Sequence, residues 1–207
     1  MTPFRYPKSL HQRTETPREY RRYKSYKPIL RREFDRQCVY CRLSDGMKGT
    51  DSFGIDHYRP KARFPELSAT YTNLFYCCNA CNSRKGDFWP TRELDELGVF
   101  VPNPCDHVMW DHLRYREASV EARSDAGEFT LELLDINDRE FVEYREMFID
   151  AIGALQRRRT DLLTTASRIK ERADRVEDGD KEYSDVMNDL ARIERHLTHL
   201  GVVTSDT

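Results

Sequence analysis

The sequence predicts an α+β protein with a small cysteine-stapled core, a basic N-terminal arm and a C-terminal α-helical hairpin. Two CxxC pairs bracket short apolar segments, the first 37 residues are rich in Lys, Arg and Tyr, and apolar residues recur at helical spacing from residue 138 onward. We therefore divide the 207-residue chain into an arm (1–37), a core (38–90), an extension containing a β-hairpin (91–136) and a helical region (137–207).

The charge is distributed unevenly, although the net charge is only −2. The arm carries eleven Lys or Arg against four Asp or Glu, and tyrosines stand between its basic residues. Cations can neutralise phosphates while tyrosine rings stack or hydrogen-bond, so the arm is a candidate nucleic-acid-binding segment through Arg18, Arg21, Arg22 and Lys24. The alternative is an extension that packs its Tyr residues and Leu30 onto the core, and the two readings are compatible. A short helix is expected from Leu30 to Phe34.

The two cysteine pairs predict a zinc site. A CxxC turn aims two thiolates at one ion, and two such turns complete a tetrahedral shell. Cys77 and Cys78 are adjacent, but only Cys78 repeats the two-residue gap of the first pair, so Cys77 is left as a packing residue. The predicted ligands are Cys38, Cys41, Cys78 and Cys81. Because four thiolates leave no open position, this Zn²⁺ is expected to be structural.

The interval between the pairs predicts two short strands and a helix. Residues Phe53 to Tyr58 form a candidate strand that ends before Pro60, and an irregular loop over 62–73 precedes a second strand at Leu74 to Tyr76. A helix is expected over 82–87, with Asn82 at its start. The first strand carries the dipeptide Asp56-His57, whose side chains point to opposite sides because successive residues of a strand alternate.

The order of these motifs resembles the HNH endonuclease family, whose catalytic unit is a ββα-metal finger. The order is CxxC, DH followed by Pro, Asn-Leu, and CxxCN with a Lys three residues on. The stretch IDHYRPKARFPELSATYTNLFYCCNACNSRKGD is similar to the HNH nuclease subunit of Septu-type and retron-associated anti-phage systems, and VPNPCDHVMWDHLRYRE and FTLELLDINDREFVEYRE resemble its continuation. The similarity covers roughly residues 33–146. The last position of the HNH triplet is Asn82 rather than His, as is common in the CxxCN branch.

The resemblance implies a role for each matching residue. His57 would be the general base, which suits an imidazole that titrates near neutral pH. Asp56 and Asn82 would hold a catalytic Mg²⁺ or Mn²⁺ through hard oxygen atoms. Asn73 would hold the His57 strand in place, and the products would carry a 5′-phosphate and a 3′-hydroxyl. The cations expected to reach phosphates are Arg59, Lys61 and Lys85.

Other readings of these residues are open. Asn82 can be a plain helix N-cap, and Asn73 an ordinary turn residue. The two CxxC turns can form a non-catalytic zinc ribbon that binds nucleic acid, although 36 residues separate Cys41 from Cys78, more than the roughly 15–20 of a usual ribbon. A stand-alone toxin or nicking nuclease is a further alternative. The resemblance favours a DNA-cleaving effector of a prokaryotic defence system that acts with an ATPase partner. Paired CxxC turns suit metal in a reducing cytoplasm, where we expect the protein.

The last third of the chain predicts an αα-hairpin. Asp138 is the expected N-cap of a first helix, a break is expected at residues 177–180, and a second helix is expected from Tyr183 to Leu200. Its apolar stripes suit either packing on the core or assembly with a partner or a second copy. Upstream, a helical turn is expected at Glu93 to Leu97, and a β-hairpin over 113–134 that turns at 125–127. No apolar run has the length of a membrane span.

Overall fold

The computed structural model describes residues 3–172 and 179–202, and the chain divides into two compact units, Met1–Glu146 and Met147–Thr207. The four strands are β1 (Phe53–His57), β2 (Leu74–Cys78), β3 (Leu113–Arg116) and β4 (Ser119–Ala122). The helices are α1 (Lys27–Glu33), α2 (Asp45–Lys48), α3 (Asn79–Lys85), α4 (Arg92–Glu96), α5 (Met109–His112), α6 (Asp125–Leu134), α7 (Arg139–Arg172) and α8 (Gly179–His199). This mixture of small sheets and helices confirms the predicted α+β class.

The N-terminal arm packs against the first unit. It lacks regular structure up to the 3₁₀ turn Tyr23–Tyr26, which leads directly into α1. Phe4 and Tyr6 are buried, and each ring lies 5.4 Å from the ring of Tyr115. The buried Glu33 carboxylate accepts hydrogen bonds from the Thr14 and Glu15 amides at 2.9 and 3.0 Å. These contacts agree with the packing reading, and they leave the basic residues at 18, 21, 22 and 24 exposed.

A buried carboxylate ties α1 and α2 to the sheet. Asp45 accepts hydrogen bonds from Arg31, from Arg36 at 3.1 Å and from the Tyr76 hydroxyl at 2.8 Å. These donors lower the pKa of Asp45 against the opposing effect of its burial. Because the carboxylate has partners from three parts of the chain, it fixes the segment before the first CxxC turn against β2.

The central sheet pairs β1 and β2 in antiparallel register, with Asp56 opposite Phe75 and His57 opposite Leu74. Cys78 ends β2 in an extended conformation and stands at the N-cap position of α3. The helix therefore begins at Asn79, and Asn82 lies one turn inside it. The helix predicted over 82–87 therefore begins three residues earlier, and the alternative reading of Asn82 as its N-cap is wrong.

The extension contains a hairpin, but the predicted turn is misplaced. Strands β3 and β4 pair with Arg116 opposite Ser119, so the chain turns at residues 117 and 118. Residues 125–127 instead form the first turn of α6, where the Ser124 hydroxyl accepts a hydrogen bond from the Gly127 amide. A Cβ atom at Gly127 would clash with the His112 carbonyl oxygen, which explains why glycine stands at this close approach. The expected helical turn after residue 92 is confirmed as α4.

The C-terminal region is helical, as predicted. The Asp138 carboxylate accepts a hydrogen bond from the Glu140 amide at 2.9 Å, which is the geometry of an N-cap. Residues 177 and 178 of the predicted break lie outside the described residues, and α8 begins at Gly179 rather than Tyr183. Within the second unit, Arg159 of α7 donates to Glu194 of α8 at 3.0 Å. None of the described helices is both long and apolar enough to cross a membrane.

Candidate active site

The four predicted zinc ligands converge at one buried point. Their sulfur atoms all lie within 4.8 Å of one another, and each cysteine is at most 1% exposed. A tetrahedral ion with Zn–S bonds of about 2.3 Å requires sulfurs about 3.8 Å apart, and the Cys41 and Cys78 sulfurs lie 3.7 Å apart. The four thiols therefore fit a structural Zn²⁺.

Local backbone geometry aims these thiols. The first turn closes through the Cys38 amide, which donates to the Leu43 carbonyl at 2.9 Å, and Val39 donates to the Tyr76 carbonyl at 3.0 Å. In the second pair, Cys78 ends β2 and Cys81 lies in the first turn of α3. A zinc ion at this point would join the first turn, the sheet and the helix.

The choice of Cys78 over Cys77 agrees with the geometry. Cys77 is buried beside the cage, with its sulfur 3.8 Å from that of Cys38, but it does not belong to the group of four converging sulfurs. Burial raises the pKa of Cys77, whereas hydrogen bonds from the neighbouring thiols, that of Cys38 above all, lower the pKa of Cys78. The position of the sulfur atoms therefore supports Cys78 as the fourth ligand.

His57 ends β1 with one ring nitrogen engaged. Its Nε2 atom lies 2.9 Å from the Ser68 carbonyl oxygen. A carbonyl can only accept, so Nε2 carries the hydrogen and Nδ1 of the neutral ring keeps its lone pair. Burial lowers the pKa of His57, and the neutral form therefore predominates at pH 7. The arrangement leaves Nδ1 as a proton acceptor.

Asp56 points away from His57 into a buried cluster. Its Oδ2 atom accepts a hydrogen bond from the Tyr40 hydroxyl at 2.6 Å, and its Oδ1 atom lies 3.1 Å from the Lys85 ammonium. The Lys85 ammonium also donates to the His57 carbonyl at 3.0 Å. Burial raises the pKa of Tyr40 well above its ordinary value, so its phenol stays protonated and remains a donor to Asp56.

Lys85 does not lie where phosphate contact would require. The sequence placed it among the cations that reach phosphates, but its side chain is only 1% exposed. The physical reason is its position in the last turn of α3, which brings the ammonium onto Asp56. By contrast, Arg59 and Lys61 are both exposed beyond the end of β1.

Asn73 joins the two ends of the loop between the strands. Its Oδ1 atom accepts from the Arg59 amide at 2.8 Å, and its Nδ2 atom donates to the Arg59 carbonyl at 3.0 Å. Its own carbonyl accepts from the Tyr58 amide at 3.0 Å. These three bonds fix the backbone immediately after the Asp56-His57 dipeptide.

The oxygen ligands that the resemblance assigns to a divalent ion are present, but one of them, Asp56, is paired with Lys85 in this structure. The oxygens of Asp56 and Asn82 suit Mg²⁺ or Mn²⁺ chemically, and the Asn82 amide approaches β1 at Gly54, whose added Cβ atom would lie 3.9 Å from its nitrogen. Gly54 and Asp56 share one face of the strand. However, Asp56 is 3% exposed and is already paired with Lys85. A divalent ion at this carboxylate would meet a positive charge about one hydrogen-bond length away.

Three contacts of the site were not predicted from the sequence. These are the Tyr40 hydroxyl on Asp56, the Ser68 carbonyl on His57, and the ring of Tyr23, which lies 4.7 Å from the His57 ring in an edge-on arrangement. Only Tyr23 carried a signal, since the arm was already singled out for its tyrosines. The Tyr23 contact places the part of the arm that carries the exposed Arg22 and Lys24 next to His57.

Comparison with known proteins defines the class of this site. Residues 38–88 match the family model of the HNH endonucleases, and this segment contains all four cysteines, Asp56 and His57. The match confirms, for residues 38–88, the resemblance to HNH endonucleases that the motifs indicate.

A longer stretch of the chain is similar to one particular protein. Over 115 residues the chain is 26% identical to the Septu protein PtuB of Bacillus thuringiensis. The alignment covers 55% of this chain and 41% of that protein, so less than half of the relative is matched. No solved structure matches the chain.

Proposed function

We propose that the protein is a nuclease that hydrolyses phosphodiester bonds of DNA, with His57 as the general base. The observation that carries the proposal is the position of His57 within the segment that matches the HNH endonucleases, with its Nε2 atom 2.9 Å from the Ser68 carbonyl oxygen. The free Nδ1 atom would take a proton from a water molecule, and the water oxygen would attack phosphorus. The bond between phosphorus and the 3′ oxygen would break, and the leaving 3′ oxygen would take a proton from solvent. The products would carry a 5′-phosphate and a 3′-hydroxyl.

The rest of the site supports this assignment by holding the base and the substrate. Asn73 fixes the backbone next to His57, and a zinc ion in the cysteine cage would anchor the sheet to α3. The exposed Lys61 ammonium lies 5.6 Å from the centre of the Tyr23 ring, and that ring contacts His57. The exposed Arg59 follows His57 by two residues in the chain. Positive side chains around a proton acceptor suit an anionic nucleic-acid backbone. The family resemblance further implies Mg²⁺ or Mn²⁺ as a cofactor of Asp56 and Asn82.

We propose a role in anti-phage defence on the basis of the similarity to a Septu protein. By the same resemblance the nuclease would act in the cytoplasm beside an ATPase partner. The C-terminal helices are the candidate assembly surface, for the partner or for a second copy. Residues of their apolar stripes such as Leu162 and Leu197 are buried. The contact would therefore fall on exposed apolar side chains, among them Met147, Leu163 and Met187. Copurification of tagged protein with the product of a neighbouring ATPase gene tests the partnership.

The test of the activity is plasmid cleavage with Mg²⁺ and with Mn²⁺. The proposal expects nicked or linear DNA with wild-type protein and none without divalent ion. A non-catalytic zinc ribbon would bind the plasmid and leave it intact under both conditions, and that result would overturn the nuclease assignment. Ligation of the cut ends without end repair would verify the 5′-phosphate and 3′-hydroxyl.

A further inference from the structure

Lys85 and Asp56 form a deeply buried ion pair. The side chains are 1% and 3% exposed, and the ammonium lies 3.1 Å from Asp56 Oδ1. The carboxylate is completed by Tyr40, whose hydroxyl lies 2.6 Å from Oδ2. The resemblance assigns this same carboxylate to a divalent cation. The carboxylate therefore has two candidate cationic partners, the Lys85 ammonium and the divalent ion.

A contribution to the stability of the fold does not by itself explain why this ion pair is buried. Removing two charges from water costs free energy that their attraction often only balances, and apolar replacements of similar volume are frequently as stable. The pair also has a particular location, because Lys85 bonds the carbonyl of His57 as well as the preceding carboxylate. The Lys85 ammonium therefore contacts both residues of the Asp56-His57 dipeptide, on which the proposed chemistry depends.

The two cations exclude each other on electrostatic grounds. An ammonium and a divalent ion on one buried carboxylate repel strongly, since the low dielectric of the interior screens them little. The Lys85 ammonium can move away from Asp56, because a lysine carries its charge at the end of a flexible four-carbon chain. A second contact is nearby, since the ammonium already lies 6.0 Å from the Tyr58 ring and Lys85 lines a small cavity with Tyr58 and Trp89.

We propose that Lys85 is the resident cation of the Asp56 site, and that the Lys85 ammonium and a divalent cation are alternative partners of this carboxylate. The inference rests on the proposed assignment of a divalent cofactor to Asp56. Lys85 keeps the carboxylate neutralised when no divalent ion is bound. Binding of the ion then requires the ammonium to leave, so the apparent affinity is lower than the oxygen ligands alone would give.

The first test measures Mn²⁺ binding directly. Zinc-loaded protein is titrated with Mn²⁺, and the electron paramagnetic resonance signal of the unbound ion gives the dissociation constant. Lys85→Met should lower the Mn²⁺ dissociation constant at least tenfold, equivalent to about 1.4 kcal/mol. The matched control is Lys61→Met, which removes the same charge from an exposed neighbouring position and should change the constant less than twofold. Adding Asp56→Asn to Lys85→Met should abolish the tight binding.

Outcomes separate this inference from the proposed function. Equal or weaker Mn²⁺ binding by a zinc-loaded Lys85→Met protein would overturn the role of Lys85 and leave the nuclease assignment in place. No Mn²⁺ bound by any variant would overturn the assignment of the cation to Asp56, and the Lys85 inference with it. DNA cleavage, measured separately, tells whether the nuclease assignment survives.

A second test needs only the wild-type protein, because Lys85→Met leaves Asp56 buried without its partner and can compromise folding. Amine acetylation followed by mass spectrometry compares the labelling of buried Lys85 with that of exposed Lys61. Saturating Mn²⁺ should raise the Lys85-to-Lys61 labelling ratio at least threefold. An unchanged ratio with Mn²⁺ demonstrably bound would show that the ammonium stays on Asp56, contrary to the inference.

Discussion

Asn73 offers a quantitative test of how the loop holds the catalytic dipeptide. Asn73→Ala removes the hydrogen bonds at 2.8 and 3.0 Å to the Arg59 amide and carbonyl. Each such bond contributes about 1 kcal/mol net, and a buried group left without a partner adds a further penalty. Because Asn73 is only 6% exposed, we expect a loss of about 2–3 kcal/mol in the free energy of unfolding.

The assay follows zinc release during urea unfolding, because that signal reports on the HNH domain and not on the C-terminal helices. With a denaturant slope of about 2 kcal/mol per molar, the midpoint should fall by about 1–1.5 M. The control is Thr72→Ala at the exposed neighbouring position, which should shift the midpoint by less than about 0.25 M. A shift for Asn73→Ala as small as the control's would refute the bracing role of the amide.

Three further predictions concern the cage, the arm and the helices. Elemental analysis should find one Zn²⁺ per chain, lost on changing any predicted ligand to Ala but retained in Cys77→Ser; well-folded protein without zinc would contradict this. Replacing the four exposed arm cations at 18, 21, 22 and 24 with Ala should weaken DNA binding and reduce its salt slope, by up to about 0.9 per lost phosphate contact, whereas an unchanged slope would mean that the arm only packs. A chain truncated after Glu146 should stay folded and zinc-loaded but lose copurification with the ATPase or self-association, and retained association would exclude the helices as the assembly surface. Stopping earlier, at Arg139, would remove the buried Arg145, which donates to the Ile136 carbonyl at 2.7 Å.

Local spacing explains what could be predicted from the sequence. A CxxC turn fixes its geometry within four residues, so the choice of Cys78 follows from the gap alone. The first strand is equally local, since its apolar residues end at a proline. The long helix α7 follows from an apolar repeat and from the Asp138 N-cap. In each case the residues that decide the structure are close in sequence.

Long-range contacts explain what could not be predicted. Nothing near Lys85 in the sequence shows that its ammonium will lie on a carboxylate 29 positions earlier. The Tyr40 contact with Asp56 is equally invisible, because it depends on how the first CxxC turn packs on the sheet. The misplaced hairpin turn has a different origin. Asp125-Ala126-Gly127 has turn composition, but Ser124 caps a helix there, and a Ser followed by acidic residues was the available signal.

The most direct test of the central claim compares plasmid cleavage by wild-type protein and His57→Ala at equal zinc content. The matched control is His199→Ala, at an exposed position on α8. If Nδ1 of His57 is the base, His57→Ala should lose about 10²–10⁴ of the cleavage rate, while DNA binding, zinc content and the control rate are unchanged. Cleavage by His57→Ala at close to the wild-type rate would contradict the assignment of this histidine as the base.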